Sequence, residues 1–127
     1  MRILLDENIP IQLKPLLPGN VVKSVNDKDI GWKTVKNGKL LSQMEGSYDL
    51  LITADKNMYA QQNLSDSTLS ILVLPTNRRS VVLDLAVRIL EIVAALSPRE
   101  YAVLDSAGIA SKREFGEPDG GSSGPTP

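Results

Sequence analysis

The chain has 127 residues, the size of one ordinary domain, which excludes a multidomain enzyme. Hydrophobic residues make up 42% and charged residues 23%, enough to bury a core, while 14 basic against 15 acidic residues exclude a uniformly basic nucleic-acid coat. Cysteine and histidine are both absent, so disulfides, thiolate zinc sites, cysteine nucleophiles, Ser-His-Asp triads and histidine-zinc hydrolases are excluded, and carboxylate chemistry remains.

Short apolar runs alternate with helical patterns along the chain. Arg2 to Leu5 reads as a first strand; its apolar stretch, Ile3 to Leu5, stops at Asp6 and Glu7, too short for a signal-peptide core or a membrane span. A cytoplasmic protein with no membrane partner is the expectation. A short helix is expected from about Pro10, where proline suits a first turn, and Pro18-Gly19 ends it. Val21 to Val25 reads as the second strand, followed by a lysine-bearing loop through Gly31 and Trp32 and a short helix over Gly38 to Glu45 that Gly46 terminates. Leu50 to Thr53 is the third strand, Asn57 to Leu64 a short helical or turn segment, and Leu69 to Leu74 a fourth strand closed by Pro75.

Arg78 to Leu96 carries the clearest helical pattern, because Val82, Leu85, Ile89, Ile92 and Leu96 recur every three or four residues. Its opposite face holds Asp84, Arg88 and Glu91 at ion-pairing spacing. Tyr101 to Leu104 reads as a last, edge strand. Residues 111–127 contain four Gly, three Pro and one large apolar residue, Phe115, so a domain over 1–110 with a flexible Gly/Pro/Ser-rich tail over 111–127 is expected. Without that tail's two basic and three acidic residues, the body carries twelve of each sign. Alternating β and α elements imply right-handed crossovers and an α/β three-layer sandwich with a central parallel sheet.

The chemistry is expected where two buried strands end. The first runs out in Leu4-Leu5-Asp6-Glu7-Asn8 and the third in Ile52-Thr53-Ala54-Asp55-Lys56-Asn57. With the second strand on one side of the first and the third on the other, the crossovers diverge and open a crevice between Asp6 and Asp55. Converging carboxylates repel unless a cation or a shared proton lies between them, and oxygen-only ligands suit Mg2+ or Mn2+. The competing role for both aspartates is helix capping.

The opening Met-Arg-Ile-Leu-Leu-Asp-Glu-Asn-Ile-Pro, the pair Gly31-Trp32 with Asn37-Gly38 and Leu40-Leu41, and Leu51-Ile52-Thr53-Ala54-Asp55-Lys56-Asn57 with Gln61-Gln62-Asn63-Leu64 resemble the short PIN-like proteins of bacteria over about residues 1–96. The resemblance implies a PIN-like parallel α/β sandwich whose clustered acids bind divalent metal. It also implies a ribonuclease, the toxin of a toxin–antitoxin pair, with RNA as substrate and an antitoxin protein as partner. Self-association is left open. By similarity, Asp6 and Asp55 are the catalytic metal ligands, with Asn57 or Glu7 completing the shell. The chain departs from the family at Lys39, where relatives carry an acid, and at Asn57, where many carry a second acid. Glu7, next to Asp6, and Glu45, near a helix end, are the candidate substitutes for the missing acids.

Between residues 23 and 39, Lys23, Lys28, Lys33, Lys36 and Lys39 oppose only Asp27 and Asp29. This segment could meet a phosphate backbone through Lys33 and Lys36 and stack a base on Trp32, while Gln61 and Gln62 could hydrogen-bond phosphate or sugar. The plainer reading is a solvated lysine loop with Trp32 folded onto the sheet. Asn37-Gly38-Lys39-Leu40 lacks the upstream glycine and the following Ser or Thr of a phosphate loop. Two other functions compete. A catalytically inactive PIN-like binding module is compatible with Lys39. A receiver-type phosphoacceptor domain would use Asp6, Glu7 and Asp55, yet no lysine occurs between Lys56 and Lys112 to pair with its phosphoryl group.

Overall fold

A computed structural model describes residues 1–32, 37–56 and 68–114. Within them, β1 (Arg2–Leu5), β2 (Val21–Ser24), β3 (Leu50–Thr53), β4 (Ser70–Val73), β5 (Glu100–Leu104) and β6 (Ala110–Glu114) form one sheet in the order β2-β1-β3-β4-β5-β6. The first five strands are parallel and β6 is antiparallel to β5. The chain is thus α/β with a mostly parallel six-stranded sheet. No helix among the described residues is long and apolar enough to cross a membrane.

The central strands are apolar at nearly every position because both sheet faces are covered. Ile3, Leu5, Leu50, Ile52 and Leu72 pack on one face with Leu13 and Leu17 of a 3-10 helix (Ile11–Leu16 and its C-cap) and with the long carboxyl-terminal helical segment. Leu4, Leu51, Ile71 and Val73 pack on the other with Leu40, Leu41 and Met44 of α1 (Asn37–Met44). The expected helix after Pro10 is a 3-10 turn because Pro15 lies inside it without an amide proton; Leu13 N–H donates to Pro10 O at 3.1 Å and Leu17 N–H to Lys14 O at 3.3 Å. Beyond α1, Gly46 takes φ +84, the left-handed conformation that suits glycine after a helix.

The single helix expected over 78–96 is two, α2 (Arg79–Asp84) and α3 (Ala86–Ala95), joined at Leu85 with φ −91 and ψ 3. Leu85 N–H is shared between the Val81 and Val82 carbonyls, each at 3.1 Å, and Ile89 N–H resumes the ladder on Leu85 O at 2.8 Å. The apolar spacing continues across this joint, so periodicity cannot reveal it. On the charged face Arg88 pairs with Glu91 at 3.4 Å, but its stronger bond runs from Nε to Gly108 O at 2.7 Å and holds the β5–β6 turn.

The expected boundary between residues 110 and 111 falls inside β6. Its residues pair with β5 from Leu104↔Ala110 to Glu100↔Glu114, so β5 is an interior strand, and the expected tail begins no earlier than residue 115. Composition misjudged this stretch because Ser111, Lys112, Arg113 and Glu114 look solvent-bound, whereas an edge strand is held by backbone hydrogen bonds and tolerates charge. The helical segment expected over 57–64 lies outside the described residues. A chain ending at Ala110 is expected to melt at least about 5 °C below one ending at Glu114 in scanning calorimetry, roughly 1 kcal/mol for a domain of this size. Equal midpoints would show that β6 contributes nothing.

Candidate functional site

Register and strand alternation bring the two aspartates to one place. Leu4 pairs with Leu51 and Leu5 with Ile52, so the next position sets Asp6 beside Thr53, and Asp6 N–H extends the ladder to Ile52 O at 2.9 Å. Leu4 and Leu51 face α1, and two residues further on Asp6 and Thr53 share that side. Thr53 is fully buried. Its Oγ1 donates to Asp6 Oδ2 at 2.7 Å and accepts the Asp55 N–H at 3.1 Å, which ties the ends of β1 and β3 through one hydroxyl. The other Asp6 oxygen, Oδ1, accepts Glu7 N–H at 2.8 Å. The 3-10 helix downstream starts from Pro10 with no side-chain cap, so capping does not explain Asp6.

A cleft of about 320 Å³ opens at this end of the sheet. Its lining includes the acidic residues Asp6, Glu7 and Asp55, the amide residues Asn8 and Asn77, and the apolar residues Ile9, Val25, Trp32, Leu40 and Ala54. Trp32 is half-buried against the sheet cluster and meets Tyr48 edge to face, with ring centroids 6.0 Å apart and planes at 71°. It therefore combines the plainer reading, folding onto the sheet, with a place on the cleft wall. Glu7 is exposed, and its carbonyl accepts Asn26 Nδ2–H at 2.7 Å. Asn57, Lys33, Lys36, Gln61 and Gln62 lie outside the described residues.

Other candidates are not among the residues that line the cleft. Glu45 accepts the backbone N–H and the hydroxyl of Thr68 at 3.2 and 2.6 Å, tying the end of α1 to the approach to β4. Lys39 is exposed on α1, one residue before the cleft-lining Leu40. Of the lysine segment, Lys23 pairs with Asp29 at 3.2 Å. Asp27 instead binds a cation from outside the segment: both its oxygens accept Lys14 Nζ at 2.8 Å, and Oδ2 also accepts Ser24 N–H at 2.9 Å. Partial burial pushes the Asp27 carboxyl up, but the Lys14 hydrogen bond and the Ser24 amide outweigh it and hold the carboxyl below its ordinary value. This junction fixes the exit of β2, which carries Val25 to the cleft.

Sequence reasoning missed Thr53, Asn8 and Asn77. Thr53 was legible as the one polar residue in an otherwise apolar strand, two positions before Asp55. Asn77 follows Pro75 beyond the end of β4, where the rule that picked Asp6 and Asp55 also applies. Chemically, Asp6, Asp55 and the two amides offer hard oxygen donors of the kind magnesium or manganese prefers. Thr53 and Glu7 N–H each take one lone pair of the Asp6 carboxylate, leaving one on each oxygen for a cation. Among the described residues no group of three or more acids is placed to hold a single ion, so water or amide oxygens would complete any shell. Comparison with protein-family models, curated proteins and solved structures gave no match to this chain.

Two outcomes follow from these contacts. Thr53→Val keeps the shape but strips Asp6 Oδ2 and Asp55 N–H of a partner, and should cost about 1–3 kcal/mol in urea unfolding; Thr53→Ser, which keeps the hydroxyl, should cost less. A larger loss for the serine variant would mean that the methyl group matters more than the bonds. For Asp27, a carboxyl held low contributes stability that is present above about pH 4 and is lost as pH falls through its lowered value. Asp27→Asn should cost about 1 kcal/mol at pH 7 in this partly exposed pair, and the gap should narrow as pH falls below about 4. A pH-independent gap would show that the cost does not come from the ionised carboxylate.

Proposed function

We propose that this chain is a PIN-like, metal-dependent ribonuclease whose catalytic residues are Asp6 and Asp55. The observation that supports it is the delivery of both aspartates, from strands on either side of a topological switch point, into one cleft at the carboxyl ends of a parallel sheet. Asp6 and Asp55 would hold Mg2+ or Mn2+, with water or an amide oxygen completing the shell. When bound, such a cation supplies Lewis acidity, acidifying water and offsetting charge that develops on phosphoryl oxygens. The chain's own groups do the rest. Thr53 and Glu7 N–H fix the Asp6 carboxylate in one orientation, the Thr53 bond to Asp55 N–H holds the second acid's backbone at a set distance, and Trp32, Val25 and Leu40 give substrate an apolar wall. The same reading brings an antitoxin partner with it, to be sought as the product of an adjacent gene.

A binding module without activity is favoured by two observations: Lys39 is exposed where an acid would serve, and no three acids cluster among the described residues. The strand order 2-1-3-4-5 also suits a receiver-type domain, but β5 offers no lysine. Saturating manganese should raise the melting temperature of the wild type by roughly 10 °C at a hundredfold excess over Kd and leave Asp55→Asn unmoved. Wild type should cleave single-stranded RNA and Asp55→Asn should not. Manganese stabilisation without cleavage would favour the inactive module, and neither effect would remove the metal site.

A further inference from the structure

The acids of the cleft repel the substrate they are proposed to cut, so a polyanion needs a cationic hold beside them. Three exposed cations follow the cleft-lining residues Asp55 and Asn77 in the chain. The chain leaves β3 through Asp55 and Lys56, and leaves β4, whose Val73 pairs with Thr53, through Thr76, Asn77, Arg78 and Arg79. Leu74 N–H donates to Thr53 O at 2.8 Å, so the two exits start side by side. Asn77 lines the cleft, and Lys56, Arg78 and Arg79 are exposed. Thr76 Oγ1 accepts Arg78 N–H at 3.2 Å and braces the turn.

The ion pairs of the described residues engage Arg2, Lys14, Lys23, Arg88 and Lys112 with nearby carboxylates. Lys56, Arg78 and Arg79 take part in none of them. A cation outside these ion pairs is left to attract an outside anion, and guanidinium groups match phosphate oxygens two at a time.

We infer that Asn77, Arg78 and Arg79, with Lys56 opposite, form a phosphate track that leads single-stranded nucleic acid into the Asp6–Asp55 cleft over the ends of β3 and β4. The inference rests on the reading of that cleft as a phosphodiester site. It places the electrostatic hold on the β4 side of the cleft, whereas the lysine segment expected to meet RNA follows β2. A cation held by Asp6 and Asp55 strengthens the track, because it cancels the repulsion at its inner end.

The test uses the full chain, a short single-stranded 2′-O-methyl RNA that resists cleavage, and fluorescence anisotropy across a salt series. Arg78→Gln with Arg79→Gln should weaken binding by about tenfold and lower the slope of log affinity against log salt by about 1.4, the contribution of two phosphates on a single strand. The Arg78→Lys, Arg79→Lys pair should keep most of the slope. Manganese stabilisation of the glutamine variant, measured in parallel, should match wild type and show the fold intact. An unchanged slope alongside intact manganese stabilisation would overturn the track and leave the nuclease reading standing. Arginine-dependent RNA binding in a wild type that manganese does not stabilise would do the reverse. Failure of wild type to bind the oligonucleotide, or equal arginine-dependent binding of poly-aspartate in its place, would also overturn the track, the latter by reassigning the arginines to an acidic protein.

Discussion

Ile3, Leu4 and Leu5, all of Leu50–Thr53 and nearly all of Ser70–Val73 are excluded from solvent because helices cover both faces of these strands. A strand buried on both sides has no face on which an ionised group keeps its hydration, and the cost of burying an unpaired charge displaces acids to the strand ends. In a parallel sheet all those ends lie on one side. Asp6, Asp55 and Asn77 therefore converge without any direct interaction having to draw them together. Thr53 and Ser70 are the polar residues inside this apolar zone, and both capacities of the Thr53 hydroxyl are used, donating to Asp6 and accepting from Asp55 N–H.

Position at the switch point follows from β1 lying between β2 and β3. The crossover to β2 passes over the face that carries the 3-10 helix, and the next crossover passes over the face that carries α1. Between them they supply the cleft with Ile9, Val25, Trp32 and Leu40. The Lys14–Asp27 contact bolts the first crossover to the exit of β2, and the Asp27 bond to Ser24 N–H occupies backbone at the open edge of that strand. At the opposite end of the sheet Arg2 forks onto Asp49, Nη2 to Oδ1 at 3.0 Å and Nε to Oδ2 at 3.2 Å. That hydrogen bonding holds the Asp49 carboxyl below its ordinary value, but the pair is solvent-exposed and fixes register more than it adds stability.

Charge divides along the rim of the cleft. Acids end β1 and β3, where a hard cation would sit, and arginines follow β4 next to a cleft-lining amide. With 14 basic and 15 acidic residues the chain is near neutral overall, yet local separation of charge, and not net charge, sets the field at the cleft.

The amino-acid sequence by itself determined the elements and the exclusions. Buried strands announce themselves as unbroken apolar runs, so β1 and β3 were legible to the residue, β2 and β4 to within a residue at each end, and the absence of His and Cys left only carboxylate chemistry. The meeting of Asp6 and Asp55 at one cleft followed from diverging crossovers once strand order was assumed. Tertiary structure alone decided what depends on pairing between distant segments. Composition cannot show that Ser111 to Glu114 is a strand, because its stabilising partner is the backbone of β5. Periodicity cannot show the joint at Leu85, because the apolar stripe runs through it. Local charge counting set Asp27 against the lysines around it, whereas the fold pairs it with Lys14, thirteen residues upstream. Hydrogen bonds such as that from Thr53 to Asp6 join residues 47 positions apart, and only the register of two strands brings them within 2.7 Å.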